Sequence, residues 1–332
     1  MTFRHRLAAA WYAREVTALA ALLSPLSLVF GLVAKGRRRF TARERIGRPV
    51  VVVGNISVGG AGKTPLVIAL ADALRSHRRK PGIVSRGYGG SEHGVRVVTS
   101  NDDWRIVGDE ALLIAAAGHP VVVGRDRVAA ARELLRTHPA CDVVLSDDGL
   151  QHYRLHRDVE IAVIDARRGL GNGLLLPAGP LREPARRLDE VDAIVRLVDE
   201  PTPRRMGPRD FTMTHTPVGW RNLIDASRPA TPTDWPRGTV HAVAAIGNPQ
   251  RFFDLVRRMG IDAIPHPFPD HHPFVASDLL FEGAQAILMT AKDAVKCMPF
   301  ADARFHALDI RANVDDALVD HVLARIDGRQ AA

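Results

Sequence analysis

The run Ser57-Val58-Gly59-Gly60-Ala61-Gly62-Lys63-Thr64 carries the plainest chemistry in the chain. Glycines let backbone N–H groups wrap phosphate oxygens and hold them at the positive end of a helix. A lysine in this slot reaches the β- and γ-phosphates of a nucleoside triphosphate, and the threonine hydroxyl after it takes Mg2+. The flanks match. VVVGN ahead of the loop is a β-branched run that reads as a buried parallel strand, and PLVIALADALRS after it has helical apolar spacing. Strand, glycine turn and helix start are the context a phosphate-binding loop requires. Ser57 replaces the first glycine of G-x-x-x-x-G-K-[ST]. A chance glycine turn before a helix is the competing reading, and both flanks weigh against it. Pro65 is at home in the first turn of a helix. Membrane-bound switch ATPases with a related glycine pair carry a lysine just ahead of it, where this chain has Val58.

A second set of residues offers acids, bases and positive charge. Asp142-VVLS-Asp147-Asp148-Gly149 reads as a strand ending in two acids, where a doubly wound sheet collects its functional groups. An acid there partners Mg2+ directly or through water, and an ordinary strand-ending turn is the alternative. Asp165 ends the next strand, EIAVID. Asp109 and Glu110 open the helix ALLIAAAG, and on spacing alone they read as caps that complement the helix dipole. Ser85-Arg86-Gly87-Tyr88-Gly89-Gly90 supplies a guanidinium and a phenol, or is a plain glycine loop. Pro177-Ala178-Gly179-Pro180-Leu181-Arg182-Glu183-Pro184 is stiff and carries a charge pair. Phe268-Pro269-Asp270-His271-His272-Pro273-Phe274 sets two histidines beside an acid. Adjacent loop residues rarely face one ion, and an imidazole of near-neutral pKa is suited to proton transfer. Taken alone, surface or core histidines are the commoner outcome.

These side chains need a frame. Strands alternating with apolar-periodic helices predict an α/β protein: a P-loop NTPase-like, mostly parallel sheet with a second, smaller α/β domain and an N-terminal membrane helix. The expected divisions are 1–35 for that helix, 36–236 for the core holding the phosphate loop, and 237–332 for the C-terminal domain. The last begins with TVHAVAAIGNP, continues through the amphipathic helix RFFDLVRRMG and the strand AILMT, and completes a cleft. With 332 residues, 46% of them hydrophobic, the chain can bury a large core and is not of disordered composition. A formal charge of +8 attracts nucleic acid, anionic head groups or phosphorylated substrates alike. No zinc-finger spacing, aromatic RNA-binding strand or basic low-complexity tail is present, so no nucleic-acid partner is expected. Cys141 and Cys297 lack paired spacing, which fits a reducing compartment, and they read as small buried side chains.

Residues 16–34, VTALAALLSPLSLVFGLVA, run nineteen positions without a charge. At about 1.5 Å per residue the run falls just short of a ~30 Å hydrocarbon core. Pro25 would kink it, which membrane helices tolerate. Arg4, Arg6 and Arg14 precede it and Lys35, Arg37, Arg38 and Arg39 follow. The denser cluster comes after the run, which leaves the rest of the chain on the cytoplasmic side. The expectation is an anchor, with spanning and interfacial insertion both open. A buried core helix is the other reading. A cleaved signal peptide is disfavoured by the length and by the lack of a small-x-small site.

In order, VVVGNISVGGAGKTP, SRGYGG, GDE, SDDGLQHYRLHRDVEIAVID, LPAGPLREP, IGNPQRFF, FPDHHPF and KDAVK resemble the tetraacyldisaccharide 4'-kinase (lipid A 4'-kinase) family over nearly the whole chain. The resemblance implies a kinase that uses ATP and Mg2+ to phosphorylate the 4'-hydroxyl of a tetraacyldisaccharide 1-phosphate, a glycolipid precursor of lipid A. It also implies an inner-membrane enzyme with a cytoplasmic active site. Carried onto this sequence, Ser57, Val58, Gly59, Gly60, Ala61, Gly62, Lys63 and Thr64 bind the nucleotide, with Arg182 and Glu183 beside it. Thr64, Asp147 and Asp148 stand by the metal. Asp109 and His271 pair to activate the sugar hydroxyl while Lys63 stabilises charge, and Arg86, Tyr88, Glu110 and His152 lie on the substrate side. The family often shows T-E-K-D-A-V-K, and this chain has Ala291 in the Glu slot, with Lys292 and Asp293 in place. A membrane-associated P-loop ATPase switch with no sugar acceptor is the alternative function.

Overall fold

The computed structural model describes residues 3–13, 15–200, 207–225, 229–230 and 239–330. Arg14 and the expected boundary between 236 and 237 lie outside them. The strands are β1 (Val50–Gly54), β2 (Pro81–Ser85), β3 (Val95–Val98), β4 (Val121–Gly124), β5 (Val143–Asp147), β6 (Val159–Asp165) and β7 (Ala193–Leu197) in the first part. Then come β8 (Asp210–Asn222), β9 (Pro229–Ala230), β10 (Thr239–Ala244), β11 (Ile264–Pro267), β12 (Ala284–Thr290) and β13 (Phe305–Val314). The helices are α1 (Phe3–Trp11), α2 (Ala18–Phe40), α3 (Lys63–Ser76), α4 (Trp104–Val107), α5 (Asp109–Ala116), α6 (Arg127–Thr137), α7 (Pro249–Arg258), α8 (Ala291–Cys297) and α9 (Asp316–Gln330).

All the strands join one sheet, in the order β11-β10-β12-β13-β8-β7-β6-β1-β5-β2-β4-β3, with β9 paired to β8. From β8 to β4 the pairs are parallel, and so are those from β13 to β11. The two blocks meet at the antiparallel pair β8–β13. β8 pairs with β7 through Asp210–Met213 and with β13 from Met213 to Asn222, so the blocks are offset along one shared strand. Opposite direction plus offset turns the carboxyl ends of both blocks toward a common cleft, where open α/β sheets bind ligands.

Burial explains the sequence pattern. β1 and β5 are buried along their whole length, as strands covered on both faces must be, and this is why VVVV and VVL are unbroken apolar runs. α3 packs Leu66, Val67, Leu70, Ala71 and Leu74 against the sheet, a spacing of three and four residues. Asp126 starts α6 by accepting from the amides of Val128 and Ala129. Cys141 and Cys297 are free and buried.

α2 is unlike the other helices. Its small residues Ala20 and Ser27 are buried, while Leu22, Leu26, Leu28, Val29, Leu32 and Val33 are exposed. Pro25 lies inside it, and the Ser24 hydroxyl donates to the Ala21 carbonyl that a proline N–H cannot reach.

Candidate active site

β1 feeds the chain into the phosphate loop, and α3 carries it away. Gly62, the residue before α3, has φ +83°, and a Cβ there would lie 3.1 Å from the side chains of Leu197 and Met213. Conformation and space both require glycine. Lys63 and Thr64 open α3 and are buried. Lys63 Nζ is 3.5 Å from Asn55 Oδ1 and 3.5 Å from Asp148 Oδ1. Thr64 Oγ1 donates to Asp147 Oδ2 at 3.3 Å. The other carboxylate oxygen, Asp147 Oδ1, is buried with no partner among the described residues.

The two acids at the end of β5 are held in opposite states. Burial first, then the charges of Glu110 and Asp148, pushes the Asp147 carboxyl up to about 7. Burial also works against the Asp148 charge, but Lys63, Arg182 and Arg127 overcome it and hold this carboxyl far below the ordinary range. Arg182 Nη1 stands 3.4 Å from Asp148 Oδ2 and 3.4 Å from Gln151 Oε1. Glu183 turns inward instead, accepting from Gln151 Nε2 at 2.7 Å and pairing with Arg187 at 3.2 Å. The neighbours Arg182 and Glu183 thus serve two different networks.

Arg127 is buried behind the acids, donating to the carbonyls of Gly124 at 2.6 Å and Asp147 at 3.1 Å. Burial pulls its guanidinium down to about 10, against the pull of Asp147 and Asp148. His152 lies near Arg127 and Arg86, and burial with these charges pushes it down to about 3, so the imidazole is neutral.

Across the cleft, Asp109 at the start of α5 meets His271 on the loop after β11. His271 Nδ1 is 3.2 Å from Asp109 Oδ1 and 3.1 Å from Oδ2. His271 has φ +59°, a sparsely populated conformation for a non-glycine residue that puts the ring in place. Its neighbour His272 faces away and bonds Asp278 at 2.9 Å. The Tyr88 ring lies 4.7 Å from the His271 ring. Burial alone would raise the Asp109 carboxyl, yet the bond to His271 and the charges of Lys292 and Lys296 keep it below its ordinary value. Lys292 Nζ is 3.0 Å from Glu110 Oε1 and 3.3 Å from His271 Nε2. Asp109, Glu110 and His271 present ligand atoms within 4.8 Å of one another, but the Lys292 ammonium already supplies the positive charge there. Asp293 is structural: it takes the Ala245 amide at 3.0 Å and pairs with Lys296 at 2.8 Å. Ala291 begins α8 beside Lys292.

The two sides touch at the phosphate loop. The nitrogen of Gly247 would be 3.2 Å from a Cβ on Gly60, and a Cβ on Gly247 would overlap the Gly60 amide nitrogen. Asp165 ties the blocks together, accepting from Asn248 at 3.0 Å and Arg251 at 2.7 Å. The cleft has a volume of about 1330 Å³, with Lys63, Thr64, Glu110, His215, Asn248 and Lys292 among its walls.

The structure therefore collects Lys63, Thr64, Asp147, Asp148 and Arg182 in one cluster, and Asp109, Glu110, His271 and Tyr88 in another. Arg86, which is exposed, and His152 lie near Arg127, and Glu183 joins the interior. Sequence reasoning did not single out Asn55, Arg127, Gln151 or His215. Asn55 directly follows β1, and Lys292 is the second residue of the helix after β12, so the rule that groups gather at strand ends points to both. Arg127 gives no such signal, because an arginine in the first turn after an aspartate cap reads as surface.

A family model described as tetraacyldisaccharide-1-P 4'-kinase matches residues 19–327. The chain is 50% identical over 330 residues to the tetraacyldisaccharide 4'-kinase of Azoarcus sp. strain BH72, covering 97% of this chain and 96% of that one. It is 48% identical over 327 residues to the enzyme of the same name from Alkalilimnicola ehrlichii, covering 96% of each. The crystal structure of the "apo" form of LpxK from Aquifex aeolicus in complex with ATP superposes with a TM-score of 0.77 at 28% identity, covering 93% of this chain and 99% of that one.

Proposed function

This chain belongs to the tetraacyldisaccharide 4'-kinase family, and from that premise we propose how its own residues transfer the terminal phosphoryl group of ATP. It is an ATP-dependent lipid kinase of lipid A biosynthesis, which sets aside the switch ATPase without an acceptor. The observation that carries the mechanism is the Asp109–His271 contact beside the cleft that holds the phosphate loop, joined to the cleft wall through Lys292 and Glu110.

Loop amides and Lys63 grip the β- and γ-phosphates at the amino end of α3. The sugar 4'-oxygen forms a bond to the γ-phosphorus as the bond from that phosphorus to the bridging oxygen of ADP breaks. The sugar hydroxyl takes the place of Lys292 at His271 Nε2 and passes its proton to that nitrogen, while Asp109 accepts the Nδ1–H and stabilises the imidazolium. Positioning a base in this way is worth about 10²–10⁴ in rate. Thr64, Asp147 and Asp148 offer the oxygen ligands Mg2+ prefers, and the partnerless Oδ1 of Asp147 suits that role. The ion, when bound, neutralises charge on the phosphates. Arg182 stands by the nucleotide, Glu183 braces it through Gln151, and Arg86, Tyr88, Glu110 and His152 line the sugar side.

In this reading, 1–35 is the membrane anchor, 36–236 the kinase core and 237–332 the lobe that closes the cleft. Ser27, in the middle of α2, hydrogen-bonds backbone of the core at Leu175 and Ala178, so a helix spanning the bilayer would drag polar backbone with it. Its outward leucines and valines, followed by Arg37, Arg38 and Arg39, suit the interface of the inner membrane on the cytoplasmic side. A multiply acylated substrate then arrives by lateral diffusion, and the basic charge is used on head groups rather than nucleic acid. The test is transfer from γ-labelled ATP with and without the tetraacyldisaccharide 1-phosphate. Label must appear on the lipid, and Lys63→Ala must abolish it. Hydrolysis indifferent to the lipid would overturn the reading.

A further inference from the structure

The N-terminal segment is wired to the phosphate loop by polar contacts. The Ser27 hydroxyl donates to the Leu175 carbonyl at 2.8 Å and accepts from the Ala178 amide at 3.1 Å. Trp11 Nε1 donates to the Pro177 carbonyl at 2.9 Å, and the Asn172 amide donates to the Trp11 carbonyl at 2.7 Å. The segment they grip runs directly into the loop: the Val58 amide donates to the Pro180 carbonyl at 2.8 Å, and the Arg182 amide to Ile56 at 2.7 Å. Tyr12 makes the shortest connection. Its hydroxyl donates to the Val58 carbonyl at 3.4 Å. Its ring carries the Arg168 guanidinium 4.8 Å from the centroid, and Arg168 Nη1 lies 3.4 Å from where a Gly59 Cβ would stand.

We propose that Tyr12 is a positioning residue of the phosphate loop, and that lipid contact of α2 tightens Mg·ATP binding through it. This rests on the reading of α2 as a lipid-seated helix. Two states differ in contacts, as any coupling requires. In the seated state the Trp11, Tyr12 and Ser27 bonds are made, and Val58 and Gly59 are braced from outside. In the lifted state these bonds are lost, and Val58 and Gly59 keep only the braces from within the core, the Pro180 carbonyl and the Asn55 side chain among them. In water the seated helix leaves Leu22, Leu26, Leu28, Val29, Leu32 and Val33 exposed, which costs it stability. A bilayer covering that face favours the seated state, because a lifted helix would carry the Ser27, Trp11 and Tyr12 polar groups unpaired against lipid, and the substrate's acyl chains require the enzyme to work at that surface. The enzyme thus holds its nucleotide best where its second substrate is.

The full-length protein is titrated with Mg·ATP with and without vesicles of phosphatidylethanolamine and phosphatidylglycerol, and vesicle binding is followed by sedimentation. Vesicles should lower the ATP Kd about fivefold, at the lower end of ordinary couplings, and saturating Mg·ATP should strengthen vesicle binding by the same factor. Tyr12→Phe keeps the ring under Arg168 and removes the hydroxyl, so it should still sediment with vesicles but lose the shift. Ser27→Ala should weaken both. A wild-type protein that sediments with vesicles yet binds Mg·ATP equally with and without them overturns the coupling. A Tyr12→Phe protein that keeps the full shift removes Tyr12 from it. Failure of the wild type to sediment overturns the lipid seating, and this inference with it.

Discussion

Lys292 and Glu110 form an ion pair of 3.0 Å across the cleft, although they lie 182 positions apart. Burial would pull the ammonium down, but Glu110, Asp109 and Asp270 raise it above its ordinary value, so it is charged. With Lys292 gone, Glu110 and Asp109 stand side by side without the cation. Losing a contact of this kind costs about 1.5–3 kcal/mol, or about 10–100-fold in rate. Lys292→Met should therefore lower kcat by about that factor while the Kd for Mg·ATP stays within about twofold. Lys292→Arg should recover part of the loss. Steady-state kinetics at saturating lipid decide it: wild-type kcat in Lys292→Met takes the lysine out of the site.

Asp109 and His271 should behave as one unit. Asp109→Asn leaves the imidazole without its acceptor, and His271→Ala removes the base itself. Each should cost about 10²–10⁴ in kcat. The double variant should be little worse than His271→Ala, because both changes break the same step. Additive losses would mean that the two residues act separately.

The phosphate loop, the strand before it and the helix after it were legible because each signal is local: four valines, glycines at set intervals, apolar residues every three or four positions. The same holds for β5 and β6 with their terminal acids. The joining of the sheet was not. β8 contains Pro217 and Gly219, residues that break a strand pattern, and the register shifts between Asp309 and Ile310 where β13 faces them. The Asp109–His271 contact spans 162 positions and only the family resemblance pointed to it. On spacing alone, Asp109 read as a helix cap. The apolar run of α2 was plain, whereas the role of Ser27 on its inner face depends on a loop some 150 residues away.

Gly247 should tolerate no side chain. A methyl group there would overlap the Gly60 amide, and neither partner is a flexible side chain that can yield. The IGNP loop must then lift from the phosphate loop, widening the cleft between the Asp109–His271 pair and the phosphates. Because misplacement by about 1 Å can cost about 10²-fold, Gly247→Ala should lower kcat/KM by about that factor. The melting temperature should move by only a few degrees, since the contact lies at the cleft rather than in a core. Activity within twofold of wild type would mean that the lobes need not approach this closely during transfer.

His152 and His215 should make the protein acid-sensitive below neutrality. Burial is the first cause in both, pushing His152 down to about 3 and His215 down to about 4. Arg127, Arg86 and Arg157 add to it at His152 and Arg251 at His215, while Asp148 and Asp165 oppose. The ordinary value is about 6.5, so between pH 6.5 and about 4 the unfolded chain binds two protons that the folded protein does not. Through that window the two histidines lower stability as pH drops, by about 1.4 kcal/mol per pH unit each, and the raised carboxyl of Asp147 offsets about one of them. Urea midpoints measured from pH 7 to pH 5 should decline accordingly, and His215→Gln should reduce the slope by about half of this two-histidine share. An unchanged slope in His215→Gln would mean that this imidazole gains its proton in the folded protein as readily as in the unfolded chain.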